Sequence, residues 1–455
     1  VNTPNFLLEI QPGLPRQLAR AWLHLGVAAL IGAGTLALLL VLSRTPGIQD
    51  HFPLKDFFRA SLVVHVDLSV MVWFMAFAGV LWSLAGNRSL GAVGWAGYWL
   101  AVIGTALITI SPFFPDTQPL LNNYIPVLQT PVFFAGLIVS AIGYGLTLLR
   151  ALLTTFPPSP AASGEGALRL GIFLSAVAGS LALAGFVISW FTAPALEGKM
   201  LFEAVFWGGG HTLQFQHALL VLVAWFWLAS SLNAAPRISP RLIALLFIMA
   251  ALPLIAMPVI YSQWPAGSAY HVAYFARMME AGHPMMLPLV LIAAFSLIRV
   301  LCKNTVANSN ANLAAKSAFI ASFILFATGG VLAYMIRGVN VVIPAHYHGS
   351  IVGITLAFMG LTYALLPRLG FGEATGKMAR WQPYVYGSGQ LMHVLGLAVS
   401  GGYGVQRKVA GAEQMLTTLP QKIGMGVMGL GGTIAIVGGL MFVIVCLKAM
   451  LRKNK

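Results

Sequence analysis

The sequence predicts an all-α integral membrane protein of the twelve-transmembrane-helix bundle type, and three observations carry that prediction. Of the 455 residues, 58% are hydrophobic and only 8% are charged. The mean hydropathy is +0.85, which excludes an ordinary soluble domain. Apolar runs of about 20 residues, the length that crosses a hydrocarbon core, recur between short polar breaks. They are centred near residues 32, 73, 102, 138, 181, 218, 252, 289, 325, 354, 393 and 436.

The polar stretch 1–19 leads straight into the first run, which therefore reads as an anchor rather than a cleaved leader. One membrane domain is expected over 20–450, with a tail at 451–455. An even number of spans puts both termini on one side. Arg16, Arg20, Arg88, Arg150, Arg237, Arg241, Arg368, Arg452 and Lys453 fall on that side, against Arg44, Lys55, Arg337, Arg407 and Lys408 on the other. The positive-inside rule then makes both termini cytoplasmic. The formal charge of +15 is accordingly assigned to topology and contact with the lipid bilayer. No basic stripe with interleaved aromatics stands in a soluble segment, so nucleic acid is not an expected partner. The Pro/Ser/Gly-rich stretch from Phe156 to Gly166 reads as a loop. Cys302 and Cys446 are the only cysteines. The chain has neither a C-x-x-C-H motif for covalent haem nor the paired cysteines of a binuclear copper centre, so electrons must come from an external donor.

The second run, FRASLVVHVDLSVMVWFMAF, places His65 early, near the outer face. The tenth, NVVIPAHYHGSIVGITLAFMGLTYALLP, opens on His346-Tyr347-His348 at the same depth. Successive helical residues rotate by about 100°, so side chains at i and i+2 point about 200° apart. Two imidazoles so placed cannot share one metal. They can serve two cofactors flanking one helix, and neutral imidazole is a good axial ligand for haem iron. Ionisable groups inside a membrane are costly, which favours function over accident here.

With the segments LFEAVFWGGGHTLQF, MEAGHPMMLP and His393 followed by Gly404, Arg407 and Lys408, the chain resembles the catalytic subunit of the haem-copper oxidase and nitric oxide reductase superfamily. The resemblance implies that His65 and His348 clamp a low-spin haem b and that His346 holds a high-spin haem b. It implies that His211, in the sixth run, binds a non-haem metal, and that Glu280 stands near that centre. Around His393, the basic pair Arg407 and Lys408 would meet haem propionates, for which Arg offers bidentate donors. Placement in a bacterial or archaeal cytoplasmic membrane, with a cytochrome or cupredoxin-like partner as electron donor, also follows from the resemblance.

The pattern breaks at one point. Where the superfamily carries two adjacent histidines after the seventh span, this chain reads PVIYSQWPAG, with Ile260, Tyr261 and Ser262. Phe215 stands at the usual tyrosine of the sixth span and Leu213 at its carboxylate. A conventional copper site is therefore not expected. Glu280 and His283 share a helix face at i, i+3, as do His211 and Gln214. A mixed N/O set of His211, Glu280 and His283 suits non-haem iron better than copper. The other reading of these groups is a polar distal pocket without a second metal, with His217 and His271 also available. Three functions follow. The first is a respiratory reductase with two b-type haems that converts nitric oxide to nitrous oxide, using His211, Glu280, Tyr261 and Gln214. The second is a terminal oxygen reductase with an unusual metal centre, and the third is a non-catalytic dihaem subunit that binds a gas or relays electrons.

Overall fold

The structure is a computed structural model that describes residues 5–42, 57–115, 117–157, 159, 161–302, 310–407 and 416–452. Arg44, His51, Lys55, Lys408 and Lys453 lie outside the described residues. Twelve long helices are present among the described residues, one on each apolar run: α1 (Leu14–Leu42), α2 (57–85), α3 (Gly91–Ile110), α4 (Pro131–Thr154), α5 (Gly164–Thr192), α6 (Gly198–Ser231), α7 (Pro240–Gln263), α8 (Ala269–Cys302), α9 (Asn310–Met335), α10 (Val342–Leu365), α11 (Gly376–Gly402) and α12 (Leu419–Met450). Eleven of them are long and apolar enough to cross a membrane. The exception is α11, whose polar residues lower its hydropathy. One of them, Gln382, is fully buried, accepting from the Tyr363 hydroxyl at 2.8 Å and donating to the Gly438 carbonyl at 3.2 Å.

Two helices are locally irregular. In α2 a π segment, Asp67–Val72, begins two residues after His65, a distortion that adds a residue per turn and is frequent at functional sites. In α7 a 3₁₀ turn, Leu252–Ile255, forms at Pro253, whose missing N–H cannot continue the α ladder. The fold is also not purely helical. Between α3 and α4, β1 (Pro119–Leu120) pairs antiparallel with β2 (Val127–Leu128), Pro119 opposite Leu128 and Leu120 opposite Val127. Strands of two residues are too short to leave an alternating pattern, which is why the all-α expectation omits them.

The chain forms two compact units, residues 1–226 with 235–293, and residues 227–234 with 294–455. In the first unit α1 packs on α2, α3 on α4, and α5 on α7. In the second, α9 packs on α10 and α11 on α12. Glycines allow the closest crossings, because without a hydrophobic drive between helices in lipid, backbone approach sets the packing energy. A Cβ at Gly389 of α11 would lie 2.5 Å from the Ala435 amide nitrogen of α12, and one at Gly431 would lie 2.5 Å from the Gly389 oxygen.

Candidate functional site

Four histidines share one hydrogen-bonding arrangement. His65 of α2 donates from Nδ1–H to the Ala33 carbonyl of α1 at 2.9 Å. His346 does so to Gly329 of α9 at 2.8 Å, His348 to Pro344 of its own helix at 2.9 Å, and His393 of α11 to Met428 of α12 at 3.1 Å. A carbonyl oxygen can only accept, so Nδ1 carries the proton and the ligating lone pair resides on Nε2. Such a carbonyl contact is what fixes the tautomer and ring orientation of a metal-bound imidazole.

Within the second unit, His346 and His348 face different neighbours, as their rotation on one helix requires. The His346 ring turns to α9. Gly329 makes this possible, since any Cβ there would collide with the Ser350 backbone. The His348 ring lies 5.0 Å from the His393 ring of α11 and stacks on Tyr347. The Val341 amide donates to Val405 at 3.0 Å, which stitches the segment leading to Arg407 onto the start of α10. Arg407 is within electrostatic reach of Tyr347.

In the first unit the focus is His211 on α6, 7% exposed. The run Gly208-Gly209-Gly210 immediately before it strips side chains from three successive positions, and aromatic groups fill each gap. A Cβ on Gly208 would meet the Tyr261 hydroxyl, on Gly209 the Phe186 ring, and on Gly210 the Tyr124 ring. Tyr124 comes from the β1–β2 connection, whose loop is held by Asn122 bonding to the Ile125 carbonyl. Its hydroxyl lies 2.8 Å from His211 Nδ1, the same nitrogen that is 2.8 Å from the Trp207 carbonyl. Gln214 completes the set by donating from Nε2 to the Tyr124 oxygen at 3.3 Å. Burial holds the Tyr124 phenol above the ordinary tyrosine range, and the Glu203 carboxylate adds to the effect.

The positions that would bear the second and third metal ligands are apolar or turned elsewhere. Ile260, 3% exposed, packs in a dry cluster with Ala178, Phe215, Met257, Phe275 and Met278. Tyr261 donates to the Gly185 carbonyl at 3.0 Å and bonds Ser189 Oγ at 2.8 Å, so its hydroxyl is engaged by α5. Among the described residues, no three of His, Cys, Asp and Glu lie close enough to hold a metal ion. The expected trio of His211, Glu280 and His283 is therefore not assembled. The i, i+3 spacing does place Glu280 and His283 together, but on the exposed face of α8. The opposite face, with His271, Phe275, Met278 and Gly282, is the one that packs inward, Gly282 against the Phe215 ring.

Tyr124 was not among the residues expected from the sequence, whereas His271, available for the site by sequence, is buried with its ring edge-on against Tyr261 and Phe275. The only sequence signal for Tyr124 was the triple glycine, which says that something large approaches α6 beside His211 but not what.

The profile of the family described as cytochrome c and quinol oxidase polypeptide I matches residues 17–440. The chain belongs to that family. It is therefore a membrane oxidoreductase of the haem-copper oxidase type, as the sequence resemblance implied. An uncharacterised protein of Rickettsia prowazekii (strain Madrid E) is 29% identical over 499 aligned positions, covering 95% of this chain and 96% of its own length. An uncharacterised protein of Aquifex aeolicus (strain VF5) is 29% identical over 369 positions, covering 80% of this chain and 88% of its own length. Haem fits this member of the polypeptide I family by the chemistry of its donors. His65, His346, His348 and His393 each carry the tautomer an iron requires, on helices whose backbones hold the rings in place.

Proposed function

We propose that the protein is a respiratory reductase with two b-type haems that converts nitric oxide to nitrous oxide. Two NO, two electrons and two protons give one N₂O and one water. The observation that carries the reading is the set of carbonyl-tethered imidazoles, His65, His346 and His348, in a chain whose copper-ligand positions are filled by Ile260 and Tyr261. In this reading His65 and His348 hold the low-spin haem and His346 the high-spin haem. Haem iron, when bound, supplies electrons and a coordination position for a diatomic gas. Arg407, with Lys408, pairs with propionates, and His393 buttresses the His348 ring.

The chain's own groups then handle protons and orientation. His211, held by Trp207 and by the Tyr124 hydroxyl that Gln214 backs, presents a polar edge among aromatic neighbours. Glu280 and His283, on their own face of α8, are the acid–base pair proposed for proton delivery, with iron rather than copper the non-haem metal if one is bound. NO reduction is favoured over oxygen reduction because it needs two electrons rather than four and tolerates the loss of the copper ligands and of the tyrosine replaced by Phe215. The electron donor is proposed to be an external cytochrome or cupredoxin-like protein, in a bacterial or archaeal cytoplasmic membrane with both termini inside.

A second reading, a non-catalytic dihaem subunit that binds gas or relays electrons, is favoured by the failure of any three metal-ligating side chains to converge among the described residues. The deciding experiment is turnover by the purified protein with an artificial donor. Consumption of NO faster than oxygen supports the reductase, the reverse preference supports the oxygen reductase, and NO binding without turnover supports the relay.

A further inference from the structure

The corner of the first unit where α3 begins gathers guanidinium groups without matching carboxylates. Arg150 of α4 is only 3% exposed, yet among the described residues no carboxylate pairs with it. Its Nη2 donates to the Asn87 carbonyl at 2.7 Å and its Nε has no hydrogen-bond partner. The side chain lies along the first turn of α3, where a Cβ on Gly94 would meet Nε at 3.2 Å. Arg88, exposed in the α2–α3 connection, reaches toward the start of α1, its Nε 3.8 Å from the Cβ position of Gly13. Nearby Glu165 is already engaged by Arg169 at 2.8 Å.

The backbone at this corner is also shaped for an acceptor. The N-cap of the 20-residue α3 is Leu90, held in the left-handed region at φ 54°, and no side chain caps the helix. The first N–H groups of α3 thus lack a side-chain acceptor, and they sit at the positive end of the helix dipole. A buried guanidinium without a counter-charge is costly, and an anion seated over it would offset that cost.

We propose that Arg88 and the N-terminus of α3, with the charge of Arg150 beneath them, form a binding site for a phosphate group, that of an acidic phospholipid headgroup. A phosphodiester supplies the missing negative charge together with acceptors for both the guanidinium groups and the helix N–H groups. The site lies at the end of membrane-crossing helices, at the level where headgroups collect, which favours lipid over free phosphate.

The test uses the full-length protein, purified in detergent and stripped of lipid, with its thermal midpoint followed during separate titrations of phosphatidylglycerol, phosphatidylcholine and inorganic phosphate. Phosphatidylglycerol is expected to raise the midpoint saturably, while phosphatidylcholine does not. The variant Arg88→Gln, which changes an exposed side chain, is expected to weaken the apparent affinity about tenfold or more, the loss appropriate to charge-assisted hydrogen bonds. Arg150→Gln should abolish the response, with midpoints before addition of lipid showing whether it folds. Stabilisation by millimolar inorganic phosphate, but not by phosphatidylglycerol, supports the phosphate site and assigns it to the free anion. Equal responses to the two lipids, or an unchanged response in Arg88→Gln, overturns the proposal.

Discussion

The hydroxyl of Tyr124 lies 2.8 Å from Nδ1 of His211. The two residues are 87 positions apart in sequence, and a two-residue-strand hairpin brings them together. The Trp207 carbonyl can only accept, so Nδ1 carries the proton and its N–H is shared between the Trp207 and Tyr124 oxygens. Tyr124→Phe removes the second acceptor. Turnover with NO is expected to fall about tenfold, in line with the loss of one buried hydrogen bond to a reacting-site imidazole. Gln214→Ala made in the Tyr124→Phe background should add little, because Gln214 acts through the hydroxyl already removed. A double-mutant cycle on kcat checks this, and simple additivity of the two changes would count against the coupling.

The haem assignment predicts opposite spectra for two substitutions. His65→Ala should abolish the low-spin signal and leave a haem that binds carbon monoxide, while His346→Ala should abolish carbon monoxide binding. Optical spectra of the reduced proteins, with and without the gas, decide the point. Persistence of carbon monoxide binding in His346→Ala, with the low-spin signal gone, would reverse the assignment.

Elemental analysis of the purified chain should show no stoichiometric copper, because the position of a metal ligand is taken by Ile260 in a packed apolar cluster. One copper per chain that survives chelator treatment would contradict this.

Glu280→Ala separates a proton-delivering role from a structural one. Groups engaged in general acid–base catalysis contribute about 10²- to 10⁴-fold, so NO consumption should fall by about a hundredfold or more at unchanged haem content. Because Glu280 lies on the exposed face of α8, thermal stability should barely move. A rate effect below about threefold would remove Glu280 from the mechanism.

Gly389→Leu should destabilise the α11–α12 pair, since its Cβ alone would lie 2.5 Å from the Ala435 amide nitrogen and 2.7 Å from the Gly431 oxygen. A loss of about 1–3 kcal/mol, typical of overpacking, is expected as a lowered thermal midpoint in detergent.

Among the described residues the apolar runs sufficed to locate every long helix, because a lipid-facing segment must satisfy its own backbone and its length is set by the bilayer. The rotation between His346 and His348 was equally legible, since helical geometry alone turns adjacent-but-one side chains to opposite sides. Local spacing likewise paired Glu280 with His283. It carried no information about which face of α8 turns inward, and packing of His271, Phe275 and Gly282 turned their face toward α6 and α7 instead. The carbonyl partners of His65, His346 and His393 come from other helices, at sequence separations of 32, 17 and 35 residues, so the tautomers that suit these rings to iron were not readable from any one segment. Tyr124 is the clearest case. Its neighbours in sequence form strands too short to show a period, and only the missing side chain at Gly210 lets its ring reach His211. Spacing along one helix determines which residues travel together, whereas contact between segments distant in sequence depends on how their surfaces fit, and that was decided only by the tertiary structure.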